Sequence, residues 1–475
     1  MDLCNNRIEP SNGRREMLKS LSYGFGWLAF SGLEGARSFA SSMLDDPLAP
    51  KRPHHTAKAK RVIFLYMSGA PSHVDTFDYK PELAKRDGQA YRGNAKLLAS
   101  PWKFNRHGES GLPISELFPG VAKHADDLCL LHGMKAGIPA HAQAQMQLHT
   151  GSFQFVRPSM GSWALYGLGT SNRNLPGYIT VNPGGAANQY GSGFLPATYQ
   201  GTPVRLSGGG GRGGGGQQSR RGRNNQSQDP IDHLESERNG TAVQKEQLAL
   251  LRRLERERSR RGNGDPAVET VLEQYELAFR MQTEVPDVVN LGTEDRKTLE
   301  MYGIGEEGTD GFGRQCLLAR RFAEEGVRFI EVSAGGWDTH RNMRTELANR
   351  CGAVDKPIAG LLADLKRRNM LDDTLVVWGG EFGRTPYAQG SDGRDHNAGG
   401  FTMWMAGGGV KGGYEYGSTD ETGHKAVEGV MDIHDWHATL LHSLGLNHER
   451  LTFNHAGRDY RLTDVHGHVH SNIFA

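Results

Sequence analysis

The chain has 475 residues, enough for one large α/β domain or two smaller ones around a substantial core. Its 55 Lys and Arg residues nearly balance 54 Asp and Glu residues, which gives a formal net charge of +1. A chain so nearly neutral has no global field that would attract nucleic acid or an anionic membrane. We therefore expect no nucleic-acid partner, and any charge-driven function must rest on a local cluster.

The N-terminus resembles a twin-arginine export signal. Arg14 and Arg15 precede a moderately apolar stretch, residues 21–33, which is too short to span a bilayer. Residues 38–40, Ser-Phe-Ala, offer the small-x-small pattern of a signal-peptidase site. We expect residues 1–40 to be a signal peptide, the protein to be periplasmic or in the cell envelope, and no stable membrane span to be present. Alternatively, Arg14 and Arg15 belong to the basic start of an ordinary helix and are not part of an export signal.

The four cysteines lie far apart and form neither a disulfide framework nor a CxxC metal site. Cys129 and Cys316 fall inside apolar runs. This position predicts buried thiols rather than catalytic ones.

Residues 41–60 lack periodicity and are predicted to be a linker, so the domain is expected to span residues 61–475. Short apolar runs typical of strands buried on both faces alternate with helical patterns. The strand runs are 62–67, 128–131, 178–181, 328–332, 374–378 and 401–405, and the helical patterns include 315–325 and 347–368. This alternation predicts an α/β fold with a doubly wound, mostly parallel sheet, in which ligands bind at the carboxyl ends of strands.

Residues 200–295 are predicted to be a helical cap inserted into this domain. Within the cap, residues 207–228 are so rich in Gly and Arg that they cannot bury apolar surface, which predicts a disordered surface loop. RNA binding through the arginines of this loop is the alternative. It is disfavoured because an exported protein seldom meets RNA.

Acidic and histidine residues follow two of the predicted strands. Asp338 and His340 lie two positions apart on a glycine-opened loop, where a carboxylate and an imidazole can reach one ion. Glu381 follows the next strand along the chain. Arg384 lies close enough in sequence to meet an anionic ligand through both ends of its guanidinium group.

A third motif, Asp395-His396, precedes the last of these strands. A sheet brings consecutive strand ends to one rim, so the three motifs are expected to meet there and hold a divalent metal ion. The residues expected to converge are Asp338, His340, Glu381 and His396. The alternative is a hydrogen-bonded polar rim without metal.

A fourth group of polar residues opens a predicted helix. Asp432 or Asp435 is expected to cap that helix. His434 and His437 are therefore weaker candidates for metal ligands.

The order of these motifs is similar to that of the alkaline phosphatase and sulfatase superfamily. Four segments, GGWDTH, GEFGRTP, RDHNAGG and GRDYRLTDVHG, look like the uncharacterised sulfatase-like, twin-arginine-exported family known as domain of unknown function fifteen-oh-one. The resemblance covers residues 55–475 apart from the insertion. It implies the superfamily's fold, one or two divalent ions of zinc, calcium or manganese, and a small-molecule or glycan anionic ester as substrate.

Carried over by position, the resemblance gives roles to individual residues. Asp338 and His340 resemble ligands of a first metal ion, Glu381 resembles the acid of a second, and His396 the remaining histidine. Asp75 stands where the superfamily places another metal-binding aspartate, and Asp395 is an additional candidate ligand beside His396.

The sequence departs from that pattern at two places. Phe382, which cannot ligate, stands where the superfamily usually has a metal-binding residue. Ala140 and His141 stand where it has a Ser, Thr or modified Cys nucleophile. Two routes remain: direct attack by hydroxide formed at the metal, or a phosphoryl-histidine at His141. Thr150 and Ser152, at the far end of the same predicted helix, are weaker candidates for a nucleophile.

Two functions follow from these features. The first is a metal-dependent hydrolase of sulfate or phosphate esters, with His141 and Arg384 as catalytic candidates and Arg384 steadying the anion. The second is a non-catalytic cell-envelope protein that keeps the fold, and a metal, to bind glycans or a partner. The missing nucleophile and the missing ligand favour the second.

Deleting residues 207–228 is expected to leave the thermal stability of the protein nearly unchanged, because a solvated loop contributes little to the core. Thermal unfolding of the deletion variant beside the full chain measures this. A large loss of stability would refute the loop prediction.

Overall fold

A computed structural model describes residues 46–93, 95–206, 246, 249–254, 257 and 287–475. The predicted signal peptide, the Gly-Arg loop and most of the predicted cap lie outside the described residues. The contacts described below belong to the unit Pro50–Ala475. In these described ranges, no helix combines the length and apolar character needed to cross a membrane.

Within the described ranges, nine strands form one sheet. In chain order they are β1 (Arg61–Ser68), β2 (Leu128–Lys135), β3 (Tyr178–Val181), β4 (Thr202–Val204), β5 (Phe329–Gly335), β6 (Thr374–Gly379), β7 (Phe401–Ala406), β8 (Tyr414–Tyr416) and β9 (Met431–Asp432). The order across the sheet is β8-β2-β7-β6-β1-β5-β3-β4, and β9 pairs with β2. Only the pairings of β7 are antiparallel among these strands. The predicted mostly parallel α/β sheet is confirmed.

Helices follow several of the strands. The longer ones are α1 (His141–Thr150), α2 (Met160–Leu168), α3 (Asp310–Glu324), α4 (Met343–Arg367) and α5 (Ile433–Ser443), and the shorter ones are His73–Thr76, Pro81–Lys85 and Arg296–Met301. The side chain of Asp432 accepts hydrogen bonds from the backbone of α5, and the side chain of Asp435 accepts one from Asp432 N. This capping box confirms the predicted helix start.

β1 shows why the central strands form. Its six inner positions are all buried, because apolar side chains point to both faces of the sheet. On one face Ile63 and Leu65 join the core cluster that includes side chains of α3 and α4. On the other face the ring of Phe64 contacts His149 of α1 and Trp436 of α5. Helices therefore cover both faces, as in a doubly wound sheet.

The predicted buried thiols are confirmed. Cys129 and Cys316 are buried and free of disulfide bonds. Burial raises the pKa of the Cys129 thiol to about 12, so this cysteine stays protonated at neutral pH.

The last part of the predicted linker lies against the domain. The backbone N–H groups of His54 and His55 donate to Gly445 O, and those of Lys58 and Ala59 donate to Ser443 O. Residues 54–59 therefore pack onto the end of α5.

β1, β5 and β6 are adjacent and parallel, so they end together at what we call the carboxyl edge of the sheet. A two-stranded antiparallel ribbon, the site hairpin, pairs Gly383–Ala388 with Arg394–Asn397 between β6 and β7. Four further ribbons are Ala90–Arg92 with Ala95–Lys96, Phe104–His107 with Leu112–Ser115, Ser418–Thr419 with Ala426–Glu428, and Phe453–His455 with Arg458–Tyr460. The carboxyl edge is where the predicted ligands lie.

Candidate metal centre

Four side chains bring possible ligand atoms together beyond the carboxyl edge, with all of these atoms within 4.8 Å of one another. Asp338 and His340 come from the loop after β5, His396 from the site hairpin, and His141 from the first turn of α1. Three of the four residues expected to converge are therefore in this cluster. The fourth member is His141, which sequence reasoning had placed at the catalytic nucleophile's position.

The centre of the cluster is one carboxylate oxygen. Asp338 Oδ1 lies 3.2 Å from His141 Nε2, 2.9 Å from His340 Nε2 and 3.3 Å from His396 Nε2. The Nε2 atoms of His340 and His396 are only 2.9 Å apart. Three imidazoles therefore direct the same ring nitrogen at one point.

The other ring nitrogen of each histidine faces an oxygen acceptor. Nδ1 of His141 lies 2.6 Å from Glu381 Oε1, and Nδ1 of His396 lies 2.9 Å from Pro139 O. Nδ1 of His340 is hydrogen-bonded to Gln389 Oε1. Because a nitrogen that donates to an oxygen carries the hydrogen, each neutral ring keeps its Nε2 lone pair for the centre.

This arrangement fits a divalent cation. His141 Nε2 is shielded from solvent and has no hydrogen-bond partner, although it lies close to Asp338. Lone pairs on facing nitrogens repel one another unless a proton or a cation lies between them. Imidazole nitrogens with a carboxylate oxygen form a common donor set for zinc.

The charges of the residues reflect their mutual contacts. Burial opposes ionisation of Asp338, but the close contacts of its carboxylate with His141 and Arg384 outweigh burial and hold the pKa of the carboxyl well below its usual range. Burial also opposes protonation of His141, yet its close contacts with Asp338 and Glu381 raise its pKa to about 9. Burial lowers the pKa of His396. Without a cation, protonated His141 and Arg384 therefore together balance the negative charge of Asp338.

Arg384 holds Asp338 in place. The arginine is fully buried, and its Nη2 donates to Asp338 Oδ1 at 2.6 Å. The guanidinium group also donates to the backbone oxygens of Gly69 and Ala70 after β1, and more distantly to Trp337 O and Arg394 O. Its donors thus face protein acceptors, which differs from the anion contact expected for Arg384.

The loop after β1 can approach Asp338 this closely because it contains a glycine. Gly69 has a φ of +110°, and a Cβ atom there would lie 2.8 Å from Asp338 N. Any other residue would be both strained and in collision with the backbone. Gly69 N also donates to Glu381 Oε1 at 3.1 Å.

Glu381 lies behind His141 rather than among the converging atoms. It is fully buried, and it accepts hydrogen bonds from Tyr66 OH at 3.1 Å and from Gln145 Nε2 at 3.3 Å, in addition to its contact with His141. A buried carboxylate in this position fixes the orientation of a ligating imidazole. The ring of the neighbouring Phe382 packs 4.8 Å from that of His141.

The structure does not bring Asp75 or Asp395 into the cluster. Asp75 is fully buried in a bidentate ion pair with Arg394, with N–O distances of 2.6 and 3.0 Å. Asp395 is about half exposed, accepts a hydrogen bond from His396 N at 2.8 Å, and lies 3.9 Å from His340 Nδ1. Asp395 therefore touches the rim of the cluster, whereas Asp75 serves the site hairpin.

Sequence reasoning missed the acceptors that orient two of the histidines. Gln389 lies at the turn of the site hairpin, and the carbonyl of Pro139 precedes α1. Neither residue belongs to a metal-binding motif. Because every residue has a backbone carbonyl, residue type does not show which carbonyl will accept a hydrogen bond from a histidine. Only the folded arrangement identifies them.

Comparison with protein families gives one match: the family model described as "Protein of unknown function (DUF1501)" covers residues 59–474. No curated protein sequence matches the chain.

Several solved structures are similar to this one. The PsFucS1 sulfatase from Pseudoalteromonas sp. is 14% identical with a TM-score of 0.35, covering 83% of this chain and 69% of that one. An alkaline phosphatase superfamily protein from Vibrio parahaemolyticus is 10% identical with a TM-score of 0.32, covering 84% and 70%. Alkaline phosphatase from the Antarctic bacterium TAB5 is 12% identical with a TM-score of 0.30, covering 76% and 93%. Since these TM-scores are low, the function proposed below rests on the atoms of the site.

Replacing Asp75 by alanine is expected to lower stability by about 3–5 kcal/mol, because Arg394 is left as an unpaired buried charge. The folded variant should bind as much metal as the unaltered protein. Thermal unfolding and elemental analysis measure the two effects. Glu300→Ala, which breaks an exposed pair with Arg296, is the matched control and should cost no more than about 1 kcal/mol. Loss of metal without loss of stability would instead make Asp75 a ligand.

Proposed function

We propose that this chain, which belongs to the DUF1501 family, is a metal-dependent hydrolase of sulfate or phosphate esters with a domain of the alkaline phosphatase and sulfatase type. The observation that carries the proposal is the convergence of three imidazole Nε2 atoms on Asp338 Oδ1. Such a site has no evident structural purpose at a solvent-facing rim, and strand ends are where α/β domains bind ligands.

The residues that would hold the ion are His141, Asp338, His340 and His396. Three nitrogens and one oxygen favour zinc over calcium, which prefers a shell of oxygen ligands. A single ion is proposed, because Glu381 is enclosed behind His141 and Phe382 offers no ligand atom. When bound, a divalent ion polarises an ester oxygen and lowers the pKa of water.

The surrounding residues would keep this site ready for a ligand. Glu381 orients His141, and Arg384 fixes the carboxylate of Asp338. Solvent reaches the cluster, since the side chains of Asp338 and His340 are 44% and 31% exposed. An anionic ester, whether a small molecule or a glycan, would enter past these exposed side chains.

Water would be the attacking group. α1 begins directly after Ala140 with His141, so the helix start offers no hydroxyl or thiol. His141 turns Nδ1 to Glu381 and Nε2 to the cluster, which disfavours a phosphoryl-histidine. In the proposed reaction water adds to sulfur or phosphorus, the ester bond to the alcohol oxygen breaks, and the proton from water goes to that oxygen.

The second candidate is a non-catalytic binding protein of the cell envelope. Ala140 at the start of α1 favours it, because a relative that forms a covalent intermediate needs a nucleophile there. Both candidates share a proposed location outside the cytoplasm, which is supported by Arg14 and Arg15 before the apolar stretch.

Purified protein reconstituted with zinc or manganese is expected to hold about one ion per chain and to hydrolyse aryl sulfate or aryl phosphate, with activity lost on chelation. Asp338→Ala and His396→Ala should lose both metal and turnover. Asp395→Asn, which changes a carboxylate outside the cluster, is the control and should keep its metal. Elemental analysis and chromogenic assays provide the measurements.

Each negative outcome has a distinct meaning. Stoichiometric metal without turnover across a broad panel of esters would reject the hydrolase in favour of the binding protein. No stoichiometric metal after reconstitution would reject the site itself.

A further inference from the structure

Arg350 of α4 lies at the end of β5, close to the start of the loop that carries Asp338. Its guanidinium group packs on Gly336, where a Cβ atom would lie 2.6 Å from Cζ and 2.7 Å from Nε of the arginine. Gly336 also has a φ of +93°, which favours glycine. The loop therefore leaves space for this guanidinium group two residues before Asp338.

The donors of Arg350 are unused within the part of the chain that the structure describes. Its Nε is shielded from solvent and has no hydrogen-bond partner. Arg350 as a whole is partly exposed, and Gly336 beside it is exposed. A ligand can therefore reach this residue. Because Nε is enclosed, the donors that a ligand can reach are the two Nη groups, which are not buried and have no acceptor among the described residues. Ligand oxygens can supply the missing acceptors.

Neighbouring arginines contrast with it. Arg384 donates hydrogen bonds to Asp338 and to backbone carbonyls. Arg344 Nε lies 3.7 Å from Asp392 Oδ1. Arg341, next to His340 in the chain, is exposed. Arg350 combines packing against Gly336 with donors that have no acceptor among the described residues.

We propose that Arg350, rather than Arg384, binds the anionic sulfate or phosphate group of the substrate at the rim of the metal centre. The inference rests on the proposed function and names the residue that recognises its substrate class. The planar guanidinium group offers paired N–H donors whose spacing matches two oxygens of a tetrahedral oxyanion. Its packing on Gly336 reduces the rotamer entropy lost when the anion binds.

Inorganic phosphate and inorganic sulfate are the probes, titrated calorimetrically into metal-reconstituted protein. Arg350→Met should weaken anion affinity roughly 10- to 100-fold, because it removes charged hydrogen bonds. Arg350→Lys, which keeps the charge without the paired donors, should recover only part of that affinity. Arg341→Met removes the same charge from an exposed position and should change affinity by less than about 3-fold.

Two controls separate binding from folding. Arg350→Met should keep the metal content and thermal stability of the unaltered protein, since it breaks no hydrogen bond to a described residue. Where aryl ester turnover is measurable, the variant should raise KM more than it lowers kcat.

Wild-type affinity for both anions in Arg350→Met, or equal losses in Arg350→Met and Arg341→Met, would overturn the inference. So would the absence of anion binding by the unaltered protein. Ester hydrolysis that is insensitive to Arg350 would contradict this inference and leave the proposed function standing. Arg350-dependent anion binding without any turnover would support the inference and contradict the hydrolase.

Discussion

The centre depends on one shared acceptor, Asp338 Oδ1. It receives a hydrogen bond from the buried Arg384 and lies within 3.3 Å of three imidazole nitrogens. Arg384 in turn holds the backbone after β1, so the loops after β1 and β5 and the site hairpin meet at this one carboxylate. Facing nitrogen lone pairs around an anionic oxygen require a proton or a cation between them, and this requirement links the fold to the proposed metal.

A second layer of contacts determines which nitrogen faces the centre. Glu381, Pro139 and Gln389 each accept from one Nδ1, and they come from three different parts of the chain. Glu381 is anchored by Tyr66 of β1 and by Gly69 N, so the orientation of His141 is set from inside the sheet domain. Orientation by such contacts, rather than by the ligands alone, gives a metal site its affinity.

Much of this arrangement follows from the sequence, for a simple geometric reason. The apolar runs predict the central strands. Parallel strands end at one edge, which brings Asp338 and His340 there, and His396 reaches the same edge because the next strand, β7, runs antiparallel and begins there. Local spacing does not say which way a side chain turns. Glu381 turns behind His141, and Asp75 turns to Arg394, which is more than 300 residues away along the chain. Such long-range partners depend on packing that no motif encodes.

Three imidazoles and one carboxylate are proposed to bind a single ion. X-ray absorption spectroscopy of the zinc-reconstituted protein can identify these ligands, because imidazole rings give a characteristic outer-shell scattering pattern. We expect about three imidazole nitrogens at roughly 2.0–2.1 Å from zinc and one or two oxygens at a similar distance. A zinc shell made mainly of oxygen, or one that contains sulfur, would contradict it.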